Sequence, residues 1–213
     1  MRLWAGPSIP IASAAFPLHS ESMLRIGLFG GSFDPVHLGH LLVAQAAREE
    51  LALNRFFFIP AAQSPFKPDR QPASGADRLR LLRLALAGAD WCEIDPQEIQ
   101  RGGVSYTIDT VRDYARRFPG AELFYLIGAD HVAQLPNWRQ AGDLARQAEF
   151  IVIPRPGQAA APLPAPFRGR MLAGFPLGVS SSQIRARVRA GLPIYPLTPD
   201  SVAEAIRNNG LYL

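Results

Sequence analysis

Four short, largely apolar runs, the first three each followed by a stretch of helical period, limit the fold more than any other feature of the chain. They are Arg25–Phe29, ending at Gly30-Gly31; Arg55–Ile59, stopped by Pro60; Glu122–Ile127, running into Gly128; and Glu149–Ile153. Runs of this kind, continuous rather than alternating, mark strands covered on both faces. Cys92–Ile94 is a shorter candidate strand. Between the runs, residues 38–52 place Leu38, Leu41, Leu42, Ala46 and Leu51 on one helical stripe. Residues 76–87 alternate Arg and Leu at helical spacing, 107–118 form an amphipathic helix before Pro119, and 142–147 form a weak one. The stretches around 60–75 and 154–169, rich in Pro, read as loops.

Two more helices carry end signals. Ser180-Ser181-Ser182-Gln183 matches a capping box, with Ser180 as N-cap. Thr198-Pro199 offers an N-cap and a first-turn proline, and Gly210 a stop. Strand and helix alternate from 25 to 153, which predicts an α/β fold. It is an open, mostly parallel, doubly wound (Rossmann-like) sheet with helices on both faces and a C-terminal helical segment. Such sheets take ligands at the carboxyl ends of their strands, where the strand order reverses.

Composition removes several classes. The 213 residues suit one domain, and 48% hydrophobic content is enough for a core. No apolar run approaches the roughly 18–20 residues of a membrane span. One cysteine, Cys92, makes no internal disulfide, which points to a reducing, cytoplasmic setting. The net charge is +4, yet the segment between Glu149 and Asp200 has no acidic residue and six arginines: Arg155, Arg168, Arg170, Arg185, Arg187 and Arg189. Its local positive field suits a polyanion such as a triphosphate, or nucleic acid; a solvated arginine face is the alternative. Residues 1–22 are broken by Pro7, Pro10 and Pro17 and precede Met23. They read as a disordered leader or a misassigned start rather than a signal peptide, whose cleavage would fall against the first strand.

Strand one leads into Gly30-Gly31-Ser32-Phe33-Asp34-Pro35-Val36-His37-Leu38-Gly39-His40. Paired glycines let backbone approach a ligand, and the helix start offers free N–H groups and a positive dipole end. His37 and His40, three apart, project from one face, where a bound anion should raise their pKa. The spacing fits neither the dinucleotide glycine fingerprint nor a P-loop. A metal site lacks an obvious third ligand among four histidines, and two plain surface histidines are the remaining alternative.

This motif resembles the H-x-G-H signature of the nucleotidylyltransferase superfamily. Class I aminoacyl-tRNA synthetases share a related element, but their lysine-rich second signature cannot come from a chain with one lysine, Lys67. The superfamily's partner motif, Ile-Ser-Ser-Thr-x-Ile-Arg, is similar to Val179-Ser180-Ser181-Ser182-Gln183-Ile184-Arg185, with Val for Ile and Ser182 for Thr. Three intermediate features narrow the resemblance to the bacterial nicotinate-nucleotide adenylyltransferases. They are Pro65-Phe66-Lys67, Tyr106-Thr107-Ile108-Asp109-Thr110, and Gly128-Ala129-Asp130 followed by Leu135-Pro136-Asn137-Trp138. The likeness covers about 25–212, making 23–213 a single nucleotidylyltransferase domain.

The resemblance implies adenylyl transfer from ATP to nicotinate mononucleotide, giving nicotinate adenine dinucleotide and pyrophosphate, by direct in-line attack. It implies catalytic roles for His37, His40 and Arg185, and an ATP site from Gly30, Gly31, Ser32, Phe33, His37, His40, Gly128, Asp130, Arg155, Ser181 and Arg185. Lys67, Thr107, Asp109 and Trp138 would meet the mononucleotide; for Asp109, capping its helix is the alternative, and for Lys67, plain surface exposure. Magnesium is expected to ride on the ATP phosphates, since no carboxylate cage is visible. Nicotinamide mononucleotide or another small acceptor such as phosphopantetheine is the rival substrate. A basic nucleic-acid-binding module is the rival class, one that leaves the glycine/histidine motif idle.

Overall fold

The apolar runs lie side by side as a parallel sheet. In the computed structural model, which describes residues 23–66, 71–157, 161–174 and 177–213, the strands are β1 (Arg25–Gly31), β2 (Arg55–Pro60), β3 (Cys92–Ile94), β4 (Glu122–Gly128), β5 (Glu149–Ile153) and β6 (Gly169–Met171). Their spatial order is β3-β2-β1-β4-β5-β6, and every neighbouring pair is parallel. The chain leaves β1 towards β2 on one side and later returns to β4 on the other. The order therefore switches between β1 and β4, and a crevice opens beyond their carboxyl ends. The expected leader, residues 1–22, and Lys67 lie outside the described residues.

Strand pleating explains the largely apolar runs. In Phe56-Phe57-Phe58-Ile59, successive side chains serve opposite faces of the sheet. Phe56 and Phe58 join Phe29 and Leu126 beneath α1 (Leu38–Glu50), α2 (Gly75–Ala85), α6 (Ser181–Arg189) and α7 (Asp200–Asn208). Phe57 and Ile59 join Leu28 and Tyr125 beneath α4 (Thr107–Arg117) and α5 (Ala141–Gln147). No helix among the described residues is long and apolar enough to cross a membrane.

Three elements differ from the sequence reading: one helix has only five residues, one segment winds with the 3₁₀ rather than the α-helical period, and one strand is not apolar. They are α3 (Gln97–Arg101), a 3₁₀ segment at Ala129–Asn137 that carries Pro136, and β6, which falls at the end of the stretch expected as loop. The expected N-cap at Thr198 is also corrected. Helix α7 starts at Asp200 with Pro199 in the cap position, and the Thr198 hydroxyl donates to the Val36 carbonyl at 2.9 Å. A buried carbonyl 162 positions away takes the hydroxyl that local pattern assigns to the helix.

Arg78, on α2, fixes the loop that follows β1. Its side chain is 2% exposed, and its guanidinium donates to the carbonyls of Ser32 (2.8 Å), Ala61 (2.7 Å) and Ala73 (3.0 Å). The loops after β1 and β2 thus hang from one cation. Arg78→Met leaves three carbonyls without that donor, and we expect a loss of roughly 3 kcal/mol or more. Urea denaturation checks it; an unchanged midpoint would show that these loops are held by other means.

Candidate active site

The crevice is a cleft of about 760 Å³, within the range of small-molecule sites. Gly30 and Gly31 end β1 on one side and Gly128 ends β4 on the other. The Tyr125 hydroxyl occupies the space that a side chain at Gly30 would need. Gly39 is equally constrained, because a Cβ there would meet the His37 ring at 3.1 Å. Phe33 takes a left-handed φ of 45°, unusual for so bulky a residue. Packing holds it there: Phe33 is 1% exposed, and its ring meets Phe29 at 5.4 Å, Phe58 at 5.6 Å and His40 at 4.9 Å.

The two imidazoles stack, with centroids 3.6 Å apart and planes 21° from parallel. The His37 backbone N–H donates to His40 Nδ1 at 3.2 Å, so a neutral His40 carries its proton on Nε2, the nitrogen left for a ligand. His37 is 7% exposed, and its Nδ1 is buried without a hydrogen-bond partner among the described residues. Burial first, and then the Arg155 guanidinium, lower the His37 pKa from 6.5 to about 4. Burial, the neighbouring His37 and Arg155 hold His40 well below its usual value too. The rise expected from sequence requires a bound anion; without one the opposite shift prevails.

The distant serine motif is joined directly to this loop. Helix α6 begins with the expected capping box: the Gln183 N–H donates to Ser180 Oγ at 3.2 Å, and the Ser180 N–H to Gln183 Oε1 at 3.0 Å. Ser181 Oγ donates to the Pro35 carbonyl at 2.8 Å. Arg185 Nη1 donates to the Asp34 carbonyl at 2.5 Å and lies 3.7 Å from the Asp34 carboxylate, while Nη2 donates to Ser182 Oγ at 3.0 Å. The Leu38 N–H completes the clasp, donating to the Leu197 carbonyl at 3.1 Å. The N-termini of α1 and α6 therefore border one cleft, with two positive dipole ends.

The other end of the cleft is aromatic. Trp138 follows the 3₁₀ segment, and its Nε1 is buried with no hydrogen-bond partner among the described residues. Its ring stands edge-on to Tyr125 (6.5 Å, 90°) and lies 5.5 Å from Phe66 at 38°. Thr107 Oγ1 donates to the Tyr125 hydroxyl at 3.4 Å. Between the two ends, Arg155 reaches the Asp130 carboxylate at 3.4 Å, with both side chains about half exposed. A pair so exposed contributes little to stability and can exchange for a ligand.

Of the residues singled out from sequence, Gly30, Gly31, Ser32, Phe33, His37, His40, Thr107, Gly128, Asp130, Trp138, Arg155 and Ser181 all line the cleft. Two do not. Asp109 lies on a shallow groove with Arg112 and Asp113, 3.9 Å from Arg139, and it caps nothing, since Tyr106 is the N-cap of α4. Arg185 stands behind the wall, where its guanidinium holds the Asp34 loop. Sequence reading missed Tyr125, Glu98, Ser105 and Phe66 as cleft residues. Tyr125 hid within a strand, and Glu98 within a helix of one and a half turns.

The chain matches the family model described as Cytidylyltransferase-like over residues 28–187. It is 40% identical over 192 residues to a probable nicotinate-nucleotide adenylyltransferase of Opitutus terrae, covering 89% of this chain and 98% of that one. It is 42% identical over 199 residues to a protein of the same description from Gemmatimonas aurantiaca, covering 89% and 92%. Its fold is similar to that of Plasmodium falciparum nicotinic acid mononucleotide adenylyltransferase complexed with NaAD, with a TM-score of 0.73, 16% identity, and coverage of 89% and 97%. A cleft that joins a Gly-Gly-Ser-Phe-Asp-Pro-Val-His-Leu-Gly-His loop to a capped serine helix, in a chain with these relatives, belongs to the cytidylyltransferase-like nucleotidyltransferases, in the nicotinate-nucleotide adenylyltransferase family.

Proposed function

We propose that the protein transfers the adenylyl group of ATP to nicotinate mononucleotide, giving nicotinate adenine dinucleotide and pyrophosphate, a step of NAD biosynthesis. The observation that carries this reading is the two-ended cleft. One end has two helix N-termini and a histidine pair; the other has an indole face beside Thr107 and Tyr125. The triphosphate suits the first end and the pyridine ring the second. The 5′-phosphate oxygen of the mononucleotide attacks the α-phosphorus of ATP, a P–O bond forms, and the bond to the β-phosphate oxygen breaks as pyrophosphate leaves.

A phosphate attacking a polyanion faces charge repulsion, so the protein's part is positioning and neutralisation rather than covalent chemistry. His40 Nε2–H donates to an α-phosphate or bridging oxygen, with His37 beside it. The α6 N-terminus, through the Ser181 region, receives the departing phosphates. Arg185 acts one step back, holding the Asp34 loop that carries the histidines, and Asp130 and Arg155 border the nucleoside. No three His, Cys, Asp or Glu side chains gather as a metal site among the described residues. Magnesium would enter with the substrate, as magnesium-bound ATP, and would screen the phosphate charge. The lone cysteine and the bacterial relatives support a cytoplasmic setting.

The reading is tested by incubating the protein with magnesium-ATP and each pyridine mononucleotide and weighing the products. The dinucleotide of the acid is expected, with kcat/KM for the acid well above that for the amide; equal or better use of the amide would overturn the acid preference. His40→Ala should lower kcat by about 10²–10³, as loss of one transition-state donor does. Undiminished pyrophosphate release by that variant would remove His40 from the chemistry. Trp138→Ala should raise the KM for the mononucleotide roughly tenfold through lost stacking and burial, with little change in the KM for ATP.

Protonation gives a further check. His37 has a native pKa of about 4 against 6.5, so the unfolded chain binds protons first. The contribution of His37 to stability without ligand is full above pH 6.5 and is lost as pH falls towards 4. A bound triphosphate raises both imidazole pKa values, so near pH 5 ATP binding should take up protons and tighten relative to pH 7. Calorimetry in two buffers of different ionisation enthalpy reads the uptake; binding with no proton exchange would contradict the placement of phosphate beside the imidazoles.

A further inference from the structure

Glu98 is a buried carboxyl on the cleft wall that the mechanism above does not use. It stands on α3 and is 4% exposed. The Thr110 hydroxyl donates to its Oε1 at 2.5 Å, and the Ser105 hydroxyl, also on the cleft wall, stands near enough to favour the charged form. The network continues beyond the acid. Ser105 Oγ accepts the Ala62 N–H at 2.9 Å, the Ser105 N–H donates to the Gln63 carbonyl at 2.9 Å, and Gln63 pairs with Val104 in a parallel bridge. One carboxylate thus links α3, the start of α4 and the loop after β2. That loop carries Phe66, whose ring leans on Trp138, and the segment at Ser105 leads directly into Thr107.

A carboxyl is an expensive way to fill a core position. Among the described residues no salt bridge to Glu98 lies within 4 Å, and the groups that offset its charge are the two hydroxyls and the more distant Arg101. Burial, with Asp95 adding to it, pushes its pKa up. An apolar side chain would cover the sheet without the desolvation cost, but it would not fix where the hydroxyls point.

We propose that Glu98 is a positioning residue for the pyridine end of the cleft: by accepting the Thr110 hydroxyl proton, with the Ser105 hydroxyl beside it, Glu98 holds the segment before Thr107 and the loop bearing Phe66 at the spacing that receives the mononucleotide ring. The proposal rests on the adenylyl-transfer reading above.

The test varies each substrate separately in the full chain with Glu98→Ala, Glu98→Gln and Ser105→Ala, alongside thermal melting. Glu98→Ala should raise the KM for nicotinate mononucleotide about tenfold or more while the ATP KM stays within about twofold and kcat within about threefold. Glu98→Gln, which keeps an acceptor oxygen, should return the KM to within about threefold of the parent, and Ser105→Ala should raise it severalfold. Equal rises in both KM values, or a lower melting temperature with both KM values unchanged, would reduce Glu98 to a core residue and overturn the proposal. Should Glu98→Ala not fold, Ser105→Ala decides: an unchanged mononucleotide KM overturns it. A parent protein that does not adenylylate nicotinate mononucleotide condemns the functional reading instead, before any variant is compared.

Discussion

The cleft depends on the clasp between residues 34–36 and the C-terminal helices. Ser181 and Arg185 of α6 and Thr198 before α7 each donate to one of three successive carbonyls, those of Pro35, Asp34 and Val36. These contacts span about 150 residues of sequence, yet they fix the loop on which both histidines are mounted. Without them the histidine loop would follow β1 alone, and the α6 N-terminus would have no fixed relation to it. Arg78 supplies the corresponding restraint from the other side, through Ser32, Ala61 and Ala73. The loop after β1 is thus held between two guanidinium groups, both spent on backbone carbonyls.

This arrangement leaves the charge of the site poised. His37 and His40 are stacked, largely buried and neutral at ordinary pH, with Arg155 adding to the positive potential. Neutral imidazoles minimise the cost of holding two such rings and two helix N-termini together with no ligand. A triphosphate reverses that balance, since it supplies the negative charge the site lacks. The exposed Arg155–Asp130 pair and the Phe66–Trp138 contact stand where nucleoside and pyridine would lie, and both are weak enough to yield to a ligand.

Much of this was legible in the chain. The strands β1, β2, β4 and β5 are apolar beyond their first residues because both of their faces are covered, and the glycines of β1 and β4 mark the carboxyl ends where the cleft opens. The capping box at Ser180 is a local signal and is present as read. What local pattern could not convey was partnership at a distance. Thr198 looks like a cap, but a carbonyl of the histidine loop takes its hydroxyl. Arg185 bonds Ser182 on its own helix but also reaches across the fold to the Asp34 carbonyl, a contact that local pattern does not convey. Asp109, two residues after Thr107, turns to the opposite side of α4 because two helical steps turn by roughly 200°. Glu98 escaped notice because a helix of five residues leaves no periodicity to read.

The central claim is that the histidine loop and the α6 N-terminus grip one ATP tail. The most direct measurement is a crystal structure of the protein with magnesium and a non-hydrolysable ATP analogue. The account predicts phosphate oxygens within hydrogen-bond reach, about 3 Å, of both His40 Nε2 and the first backbone amides of α6. A triphosphate seated instead beside Trp138 and Thr107, with the imidazoles facing empty solvent, would contradict it.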